Sequence, residues 1–210
     1  MPTWTADFWF DPSCPYTWIT SRWAVEVARV RPVRLRWHVL SLSVLNEGRE
    51  EDPENDPEGY LWIPVRVCAA VHDHYGQEAL GRFYTALWTV GREPHDDWMG
   101  PLEDALAAAG LPRELAAAGH DPDLDASVRA SHESGVALVG DHVGTPIIAV
   151  TGPGGEQAAF FGPVLSQAPA GEDAGRLWDA VLAVASVPGF HELKATPPAP
   201  PRIDSAAPRG

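Results

Sequence analysis

The sequence predicts an α/β fold in which a long helical block interrupts a single sheet. Three observations carry this prediction. The first forty residues show a strand, a helix and a second strand in that order, and a β-hairpin pattern with a final amphipathic helix follows residue 145. The stretch between them has helical spacing and no convincing strand. The predicted order is therefore βαβ, an all-helical insertion and then ββα.

The N-terminal βαβ unit is the clearest part of the pattern. Residues 4–10 alternate and are rich in aromatic side chains, which predicts a buried strand. A helical pattern runs from Cys14 to Val30, and Pro32 stops it. Residues 33–39 alternate apolar with polar side chains and predict the second strand. Because a helical crossover joins the two strands, we expect them to be parallel.

The rest of the chain divides at glycines and prolines. An acidic, polar loop at residues 47–59 precedes four or five predicted helices that extend to Gly140. Residues 145–151 and 158–161 flank a glycine-rich turn and predict a hairpin. Residues 172–187 predict the last helix. The predicted division is a sheet-containing domain at 1–45 and 141–194, a helical insertion domain at 46–140, and a Pro- and Ala-rich flexible tail at 195–210.

The composition and net charge argue against several classes of binding partner. The chain has 210 residues, and 45% of them are hydrophobic, which is enough to bury a full core. The net charge of −14 argues against binding to nucleic acid or to an anionic membrane surface. No apolar stretch has the length of a membrane helix, and the N-terminus has no signal-peptide pattern, so we expect a cytoplasmic protein. The eight histidines form no metal-binding signature, so we expect no metal site.

Cys14 is the candidate nucleophile, because it stands where the first strand gives way to a helix. Pro15 suits the first helical turn, so Cys14 should lie among unpaired N–H groups at the positive end of the helix dipole. This position favours the thiolate and predicts a lowered pKa. Thr17 follows one turn later, where its hydroxyl can donate to the thiolate but cannot attack a disulfide. The alternative is that Cys14 is a small buried hydrophobic residue.

The segment around Cys14 resembles a known active site. FWFDPSCPYTW at residues 8–18 is similar to the active-site segment of an actinobacterial DsbA-like family that includes mycothiol-dependent nitroreductases. Further similar segments are SLSVLNE at 41–47, VGTP at 143–146 and FFGPVLS at 160–166. The resemblance extends from about residue 5 to residue 194. It implies a thioredoxin fold with a DsbA-like helical insertion at 46–140.

The resemblance also implies roles for particular residues. In thioredoxin-like folds a cis-proline faces the active cysteine and the backbone before it pairs with substrate, which points to Pro146 and Thr145. Pro15, Tyr16 and Asn46 match the family's segments and are candidate substrate-binding residues. Asn46 could equally be part of a polar loop entrance. The implied co-substrate is a low-molecular-weight thiol such as mycothiol, with no tightly bound cofactor.

The motif at Cys14 differs from the typical family motif at one position that matters for the mechanism. The typical motif is Cys-Pro-Trp-Cys, whereas this chain has Cys-Pro-Tyr-Thr, so no second thiol stands at position 17. The leading hypothesis is a monothiol oxidoreductase, in which Cys14 attacks a mixed disulfide or a small electrophile and an external thiol resolves the product. The tryptophan-rich active end suggests an aromatic electrophile. The alternatives are a thiol transferase or isomerase of the kappa-class glutathione transferase type, and a non-catalytic binding protein.

Cys68, the second cysteine, lies in an apolar helical pattern. This pattern predicts a packed and unreactive thiol. The alternative is a distant resolving cysteine, which would need Cα atoms within about 7 Å of each other.

Overall fold

The computed structural model describes residues 3–50, 53–92 and 98–203. Its four strands, β1 to β4, are Trp4–Phe10, Val33–Val39, Ile147–Thr151 and Gln157–Phe161. Its six α-helices, α1 to α6, are Pro15–Val30, Leu42–Leu45, Trp62–Thr89, Leu102–Ala108, Asp125–Val139 and Glu172–Ala185. Two 3₁₀ segments, Arg113–His120 and Pro122–Leu124, stand between α4 and α5.

The four strands form one mixed sheet in the order β2-β1-β3-β4. Strand β1 pairs in parallel with β2, as the crossover through α1 predicts, and Phe8 stands opposite Trp37. Strand β3 runs antiparallel to β1 and to β4. The α/β prediction is therefore confirmed, and the βαβ and ββα parts meet in one sheet with β1 and β3 at its centre.

Alternation along β1 separates the two faces of the sheet. Phe8 and Phe10 belong to the main hydrophobic cluster with residues of α1, α3 and α6. Trp9 points to the other face, where it packs with Leu40 and Ile147 against apolar residues of α5. Each face is therefore covered by helices, and the end of β1 is buried from both sides.

The helical insertion continues the main core. The rings of Phe10 and Tyr84 stack at a centroid distance of 3.9 Å, and those of Trp18 and Trp88 stack at 5.9 Å. Helix α3 therefore packs directly on β1 and α1, although Gly76 interrupts its helical backbone with a φ of 79°. Only glycine adopts such a φ readily, so glycine at this position allows the interruption.

Two short segments differ from the predicted pattern. Helix α2 lies directly after β2, in a stretch that carries no helical periodicity. The segment after Pro112 is 3₁₀ rather than α-helical. Both are too short for hydrophobic spacing to identify, because one or two turns do not complete a recognisable repeat.

The last described residues pack on the body of the protein, although the sequence predicts a flexible tail. Arg202 N–H donates to the carbonyl oxygen of Ser166 at 2.8 Å, and Ile203 is only 5% exposed. Residues 204–210 of the predicted tail lie outside the described residues. None of the helices in the described ranges combines the length and apolar character that crossing a membrane requires.

Candidate active site around Cys14

Cys14 caps the N-terminus of α1. Its φ and ψ of −81° and 114° are extended, and Pro15 follows in the first helical turn. The Cys14 carbonyl accepts the first helical hydrogen bond from Trp18 N–H at 3.0 Å. Cys14, Pro15 and Tyr16 are partly exposed, whereas Thr17 is fully buried. Cys14 thus stands at the start of the helix, as Pro15 predicts, and the residue is partly exposed although the fold largely encloses its sulfur.

Thr17 and Thr145 meet beside the thiol. Their Oγ1 atoms are 3.2 Å apart, and Thr145 Oγ1 also accepts from Asp11 N–H at 3.2 Å. The peptide bond between Thr145 and Pro146 is cis, and both residues are buried. Residues from α1 and from the start of β3, which are far apart in sequence, therefore form one hydroxyl pair next to Cys14.

The pKa of Cys14 runs against the sequence-based expectation. Desolvation by burial raises the pKa of the Cys14 thiol, and the negative charge of Asp11 raises it further. The Thr17 hydroxyl and the backbone N–H groups of Thr17 and Tyr16 hydrogen-bond the sulfur and lower its pKa, but they do not outweigh burial. Position at a helix N-terminus predicts a lowered pKa, and that prediction fails because it ignores how deeply the fold encloses the sulfur.

Asp11 is a site residue that sequence reasoning missed. It is fully buried, its Oδ1 accepts from Ser13 N–H at 2.8 Å, and its Oδ2 accepts from Leu42 N–H at 2.7 Å. Burial raises the pKa of the Asp11 carboxyl to about 7, against the lowering effect of these two hydrogen bonds. An acidic residue that ends an apolar strand and precedes Pro-Ser was the available signal, because Asp often accepts from the N–H two residues on.

The loop before Cys14 is held from two directions. Trp88 Nε1 in α3 donates to the Pro12 carbonyl at 3.0 Å, so the helical insertion fixes this loop. The bond from Leu42 N–H to Asp11 ties the same loop to the start of α2. Asn46, half-buried, ends α2, and its N–H donates to the Leu42 carbonyl at 2.9 Å. Asn46 is thus anchored through α2 to the Cys14 loop.

A buried histidine lies behind α2. His132 of α5 is 5% exposed, and its Nδ1 accepts from Ser41 N–H at 3.4 Å. Burial lowers the pKa of His132. A neutral imidazole with an accepting Nδ1 carries its proton on Nε2. The sequence singled out no histidine here, since only the fold brings α5 beside the end of β2.

Tyr16 and Cys68 are both held in fixed surroundings by the fold. Tyr16 donates its hydroxyl to the Ala199 carbonyl at 3.2 Å, so its ring is fixed beside the motif by the C-terminal segment. Cys68 is a free thiol with no exposed surface, and burial raises its pKa well above its usual range. Among the residues that the structure describes, no group of three or more His, Cys, Asp or Glu side chains could hold a metal ion.

Asp11 makes the stability of the protein depend on pH. A folded-state pKa of about 7, against 3.8 for a free carboxyl, means that the folded protein holds a proton more tightly than the unfolded chain. The resulting stability is fully present below pH 3.8 and is lost as the pH rises through about 7. It amounts to about 4 kcal/mol over that range. We expect the free energy of unfolding of wild type, relative to Asp11→Asn, to fall by this order between pH 4 and 7.

Denaturant titrations of the two proteins at several pH values measure this difference. Asp125→Asn, which alters a partly buried ion pair with Arg66, is a control without a fully buried carboxyl. A difference between wild type and Asp11→Asn that stays constant across this pH range would contradict the assignment. We also expect Asp11→Asn to move the midpoint of Cys14 alkylation to lower pH, because a negative charge that disfavours the thiolate is removed.

The sheet order, the cysteine at the helix N-terminus and the helical insertion define a DsbA-like thioredoxin-fold protein. The solved structure of the probable DsbA oxidoreductase SCO1869 from Streptomyces coelicolor is similar, with a TM-score of 0.51 and 16% identity, over 91% of this chain and 93% of that chain. A candidate protein disulfide isomerase from Nitrosomonas europaea gives a TM-score of 0.50 at 13% identity, over 86% of this chain and 98% of that chain.

Sequence comparison identifies the family. The model described as Rv2466c-like, mycothiol-dependent nitroreductase Rv2466c, matches residues 13–195. Protein Rv2286c of Mycobacterium tuberculosis is 34% identical over 198 residues, which cover 90% of this chain and 81% of that protein. The chain therefore belongs to the Rv2466c-like family, as the motif around Cys14 indicates.

Proposed function

We propose that this protein is a monothiol oxidoreductase that exchanges thiols between a small mixed disulfide and mycothiol through Cys14. The observation that carries the proposal is the composition of the site. One partly exposed cysteine residue stands at the N-terminus of α1, the position of a second sulfur holds the buried hydroxyl of Thr17, and Cys68 is fully buried in the core. A single accessible thiol forms a mixed disulfide but needs another thiol to release it.

The proposed reaction has two exchange steps. In the first, the Cys14 thiolate attacks the mycothiol sulfur of a mixed disulfide R–S–S–M, where M is the mycothiol moiety. The S–S bond breaks, a Cys14–S–S–M bond forms, and RS⁻ leaves and takes up the proton lost by Cys14. In the second, the thiolate of free mycothiol attacks the mycothiol sulfur on Cys14. The products are M–S–S–M and regenerated Cys14, so the mixed disulfide has been reduced to R–SH at the expense of one free mycothiol.

Neighbouring groups support the thiolate during these steps. The Thr17 hydroxyl donates to Thr145 Oγ1 at 3.2 Å. Each hydroxyl can rotate, so Thr145 can become the donor in this pair, and the Thr17 hydroxyl then donates to the thiolate. The backbone N–H groups of Tyr16 and Thr17 add two further donors. We assign Pro15, Tyr16, Asn46, Thr145 and Pro146 to binding of the mixed disulfide, because they lie on the elements that surround Cys14.

Replacement of Thr17 by valine should slow Cys14 chemistry without disturbing the fold. Valine fills nearly the same buried volume but cannot donate to the sulfur. A hydrogen bond to a charged group contributes about 1.5–3 kcal/mol, so we expect Cys14 alkylation at pH 7 to slow by a factor of roughly 10 to 100. Thr20→Val is the matched control, because Thr20 lies on the same helix but bonds the carbonyl oxygens of Tyr16 and Pro163. Equal rates in the two variants would remove Thr17 from the mechanism.

Steady-state kinetics test the proposed turnover. The mixed disulfide of mycothiol and 5-thio-2-nitrobenzoate releases a coloured thiol when it is reduced. We expect release that depends on free mycothiol and follows ping-pong kinetics, since the first product leaves before the second thiol enters. Release no faster than in the absence of protein would overturn the proposal and favour a non-catalytic binding protein.

One observation favours a second candidate function. The raised pKa of Cys14 keeps the thiol protonated near neutral pH in the free protein. In a thiol transferase or isomerase the external thiol is itself the nucleophile, and Cys14 would only donate a hydrogen bond to it. Transfer of mycothiol to an electrophile by a Cys14→Ser variant would support this alternative. Both functions use a low-molecular-weight thiol, and we propose a cytoplasmic location for either.

A further inference from the structure

A proline-rich C-terminal strap, defined as residues 197–203, lies beside the Cys14 motif. Its sequence is Pro-Pro-Ala-Pro-Pro-Arg-Ile. Prolines fix φ and lack an N–H group, so such a segment is preorganised in an extended form and leaves its carbonyl oxygens available as acceptors. Because the prolines donate no hydrogen bonds, this segment cannot be paired along its length as an ordinary β-strand.

The strap is held near its middle, at Ala199, and at its C-terminal end. The carbonyl oxygen of Ala199 accepts from Tyr16 Oη at 3.2 Å and from Ser166 Oγ at 2.6 Å. Arg202 N–H donates to the Ser166 carbonyl at 2.8 Å. The side chain of Ile203 is only 5% exposed and belongs to the main hydrophobic cluster. A buried isoleucine after an exposed proline segment anchors the strap in one position.

These contacts place the strap along one side of the candidate active site. Tyr16 lies two residues after Cys14, and Ser166 lies in the loop after β4. The same loop is tied to α1, because the Thr20 hydroxyl donates to the Pro163 carbonyl at 2.7 Å. The strap therefore bridges the first turn of α1 and the loop after β4, on the Tyr16 side of the thiol.

We propose that the strap forms a wall of the Cys14 site that admits low-molecular-weight disulfides and excludes extended polypeptide chains. The identity of the small disulfide rests on the proposed function, whereas the exclusion by size does not. When a disulfide within a polypeptide reacts with Cys14, the polypeptide chain extends on both sides of the sulfur that is attacked. The strap occupies one of these sides and offers no N–H donors at its prolines for pairing. A small disulfide needs only the opening above Cys14.

Labelling with two reagents of different size tests this wall. The reagents are iodoacetamide and the same iodoacetyl group attached to a central side chain of an extended peptide of about twenty residues. This peptide spans about 60 Å when fully extended and carries chain on both sides of the reacting group. Rates at Cys14 are normalised to those of each reagent with free cysteine, and peptide mapping locates the label. In wild type we expect the peptide reagent to be disfavoured relative to iodoacetamide.

The strap is released by the double variant Ser166→Ala and Ile203→Ala. We expect peptide labelling to accelerate by about tenfold or more, because a hydrogen bond and a buried anchor are lost together, while iodoacetamide labelling changes little. Ser186→Ala with Val187→Ala is the matched control, since it also replaces a serine and a β-branched aliphatic residue, but at exposed positions after the end of α6. Hydrogen exchange at Arg202 N–H reports whether the strap has opened.

Two results would overturn the proposal. One is normalised labelling of wild type by the peptide reagent that is as fast as that by iodoacetamide. The other is faster exchange at Arg202 with no gain in peptide labelling. Labelling needs only an accessible sulfur, so it tests the wall even if the protein shows no turnover with mycothiol. Failure of the strap proposal and failure of the proposed function are therefore distinguishable.

Discussion

Replacement of Cys14 by serine should abolish thiol exchange and the formation of any mycothiol adduct. A serine hydroxyl cannot form an S–S bond, and no other thiol among the described residues reaches the surface, since Cys68 has no exposed area. We expect reduction of the mycothiol mixed disulfide to fall to the rate without protein. The measurement is release of the coloured thiol, with intact-protein mass spectrometry to detect an adduct.

The Cys68→Ala variant is the matched control for this experiment. It removes the other sulfur and leaves the Cys14 site intact, so we expect activity close to wild type with a modest loss of stability from the small cavity. If the Cys68 variant loses exchange as completely as the Cys14 variant, Cys68 takes part as a resolving thiol. If instead the Cys14→Ser variant retains activity, the external thiol is the nucleophile. The protein is then a thiol transferase or isomerase and not a monothiol oxidoreductase.

Replacement of Thr17 by cysteine should convert the monothiol site into a dithiol site. Residues 14 and 17 flank the first turn of α1, and the Thr17 side chain already hydrogen-bonds the Cys14 sulfur. A thiol at position 17 is therefore close enough to attack a Cys14 adduct. We expect the variant to release mycothiol without an external thiol and to accumulate an internal disulfide, whereas wild type retains one adduct per chain.

Thr20→Cys is the control for the position of this thiol. Thr20 lies on the same helix, but its hydroxyl contacts the carbonyl oxygens of Tyr16 and Pro163 rather than the Cys14 sulfur. We expect its adduct to persist as in wild type. Mass spectrometry with a time course after removal of free thiol measures both lifetimes. An adduct on the Thr17→Cys variant that lasts as long as that on wild type would show that position 17 does not reach the Cys14 sulfur.

Most of the sheet could be predicted because its strands carry strong local patterns. The bounds of β1 and β2 follow from alternation between neighbouring positions, and the start of α1 follows from Pro15 after Cys14. Helix α2 could not be predicted, because its first N–H is held by the side chain of Asp11, thirty-one residues earlier in the chain. A single turn that depends on a distant carboxylate leaves no periodic signal in the sequence.

The site divides in a similar way. Cys14, Thr17 and Thr145 are candidates that a strand-to-helix junction, helical spacing and the family resemblance indicate in the sequence, and the structure brings them together. The direction of the shift in the Cys14 pKa could not be predicted from the sequence. The helix N-terminus lowers this pKa and burial raises it, and only the fold shows that burial has the larger effect. The buried Asp11 and the anchored strap depend on contacts that span much of the chain. Composition alone predicted the strap region as a flexible tail.

The most direct test of the monothiol account is the mass of the intact protein after exposure to mycothiol disulfide and then to free mycothiol. The account predicts one mycothiol adduct per chain, located on Cys14 by peptide mapping, that persists after the disulfide is removed and disappears only when free mycothiol is added. A protein that gains no adduct, or that loses its adduct without added thiol by forming a disulfide between Cys14 and Cys68, would contradict it.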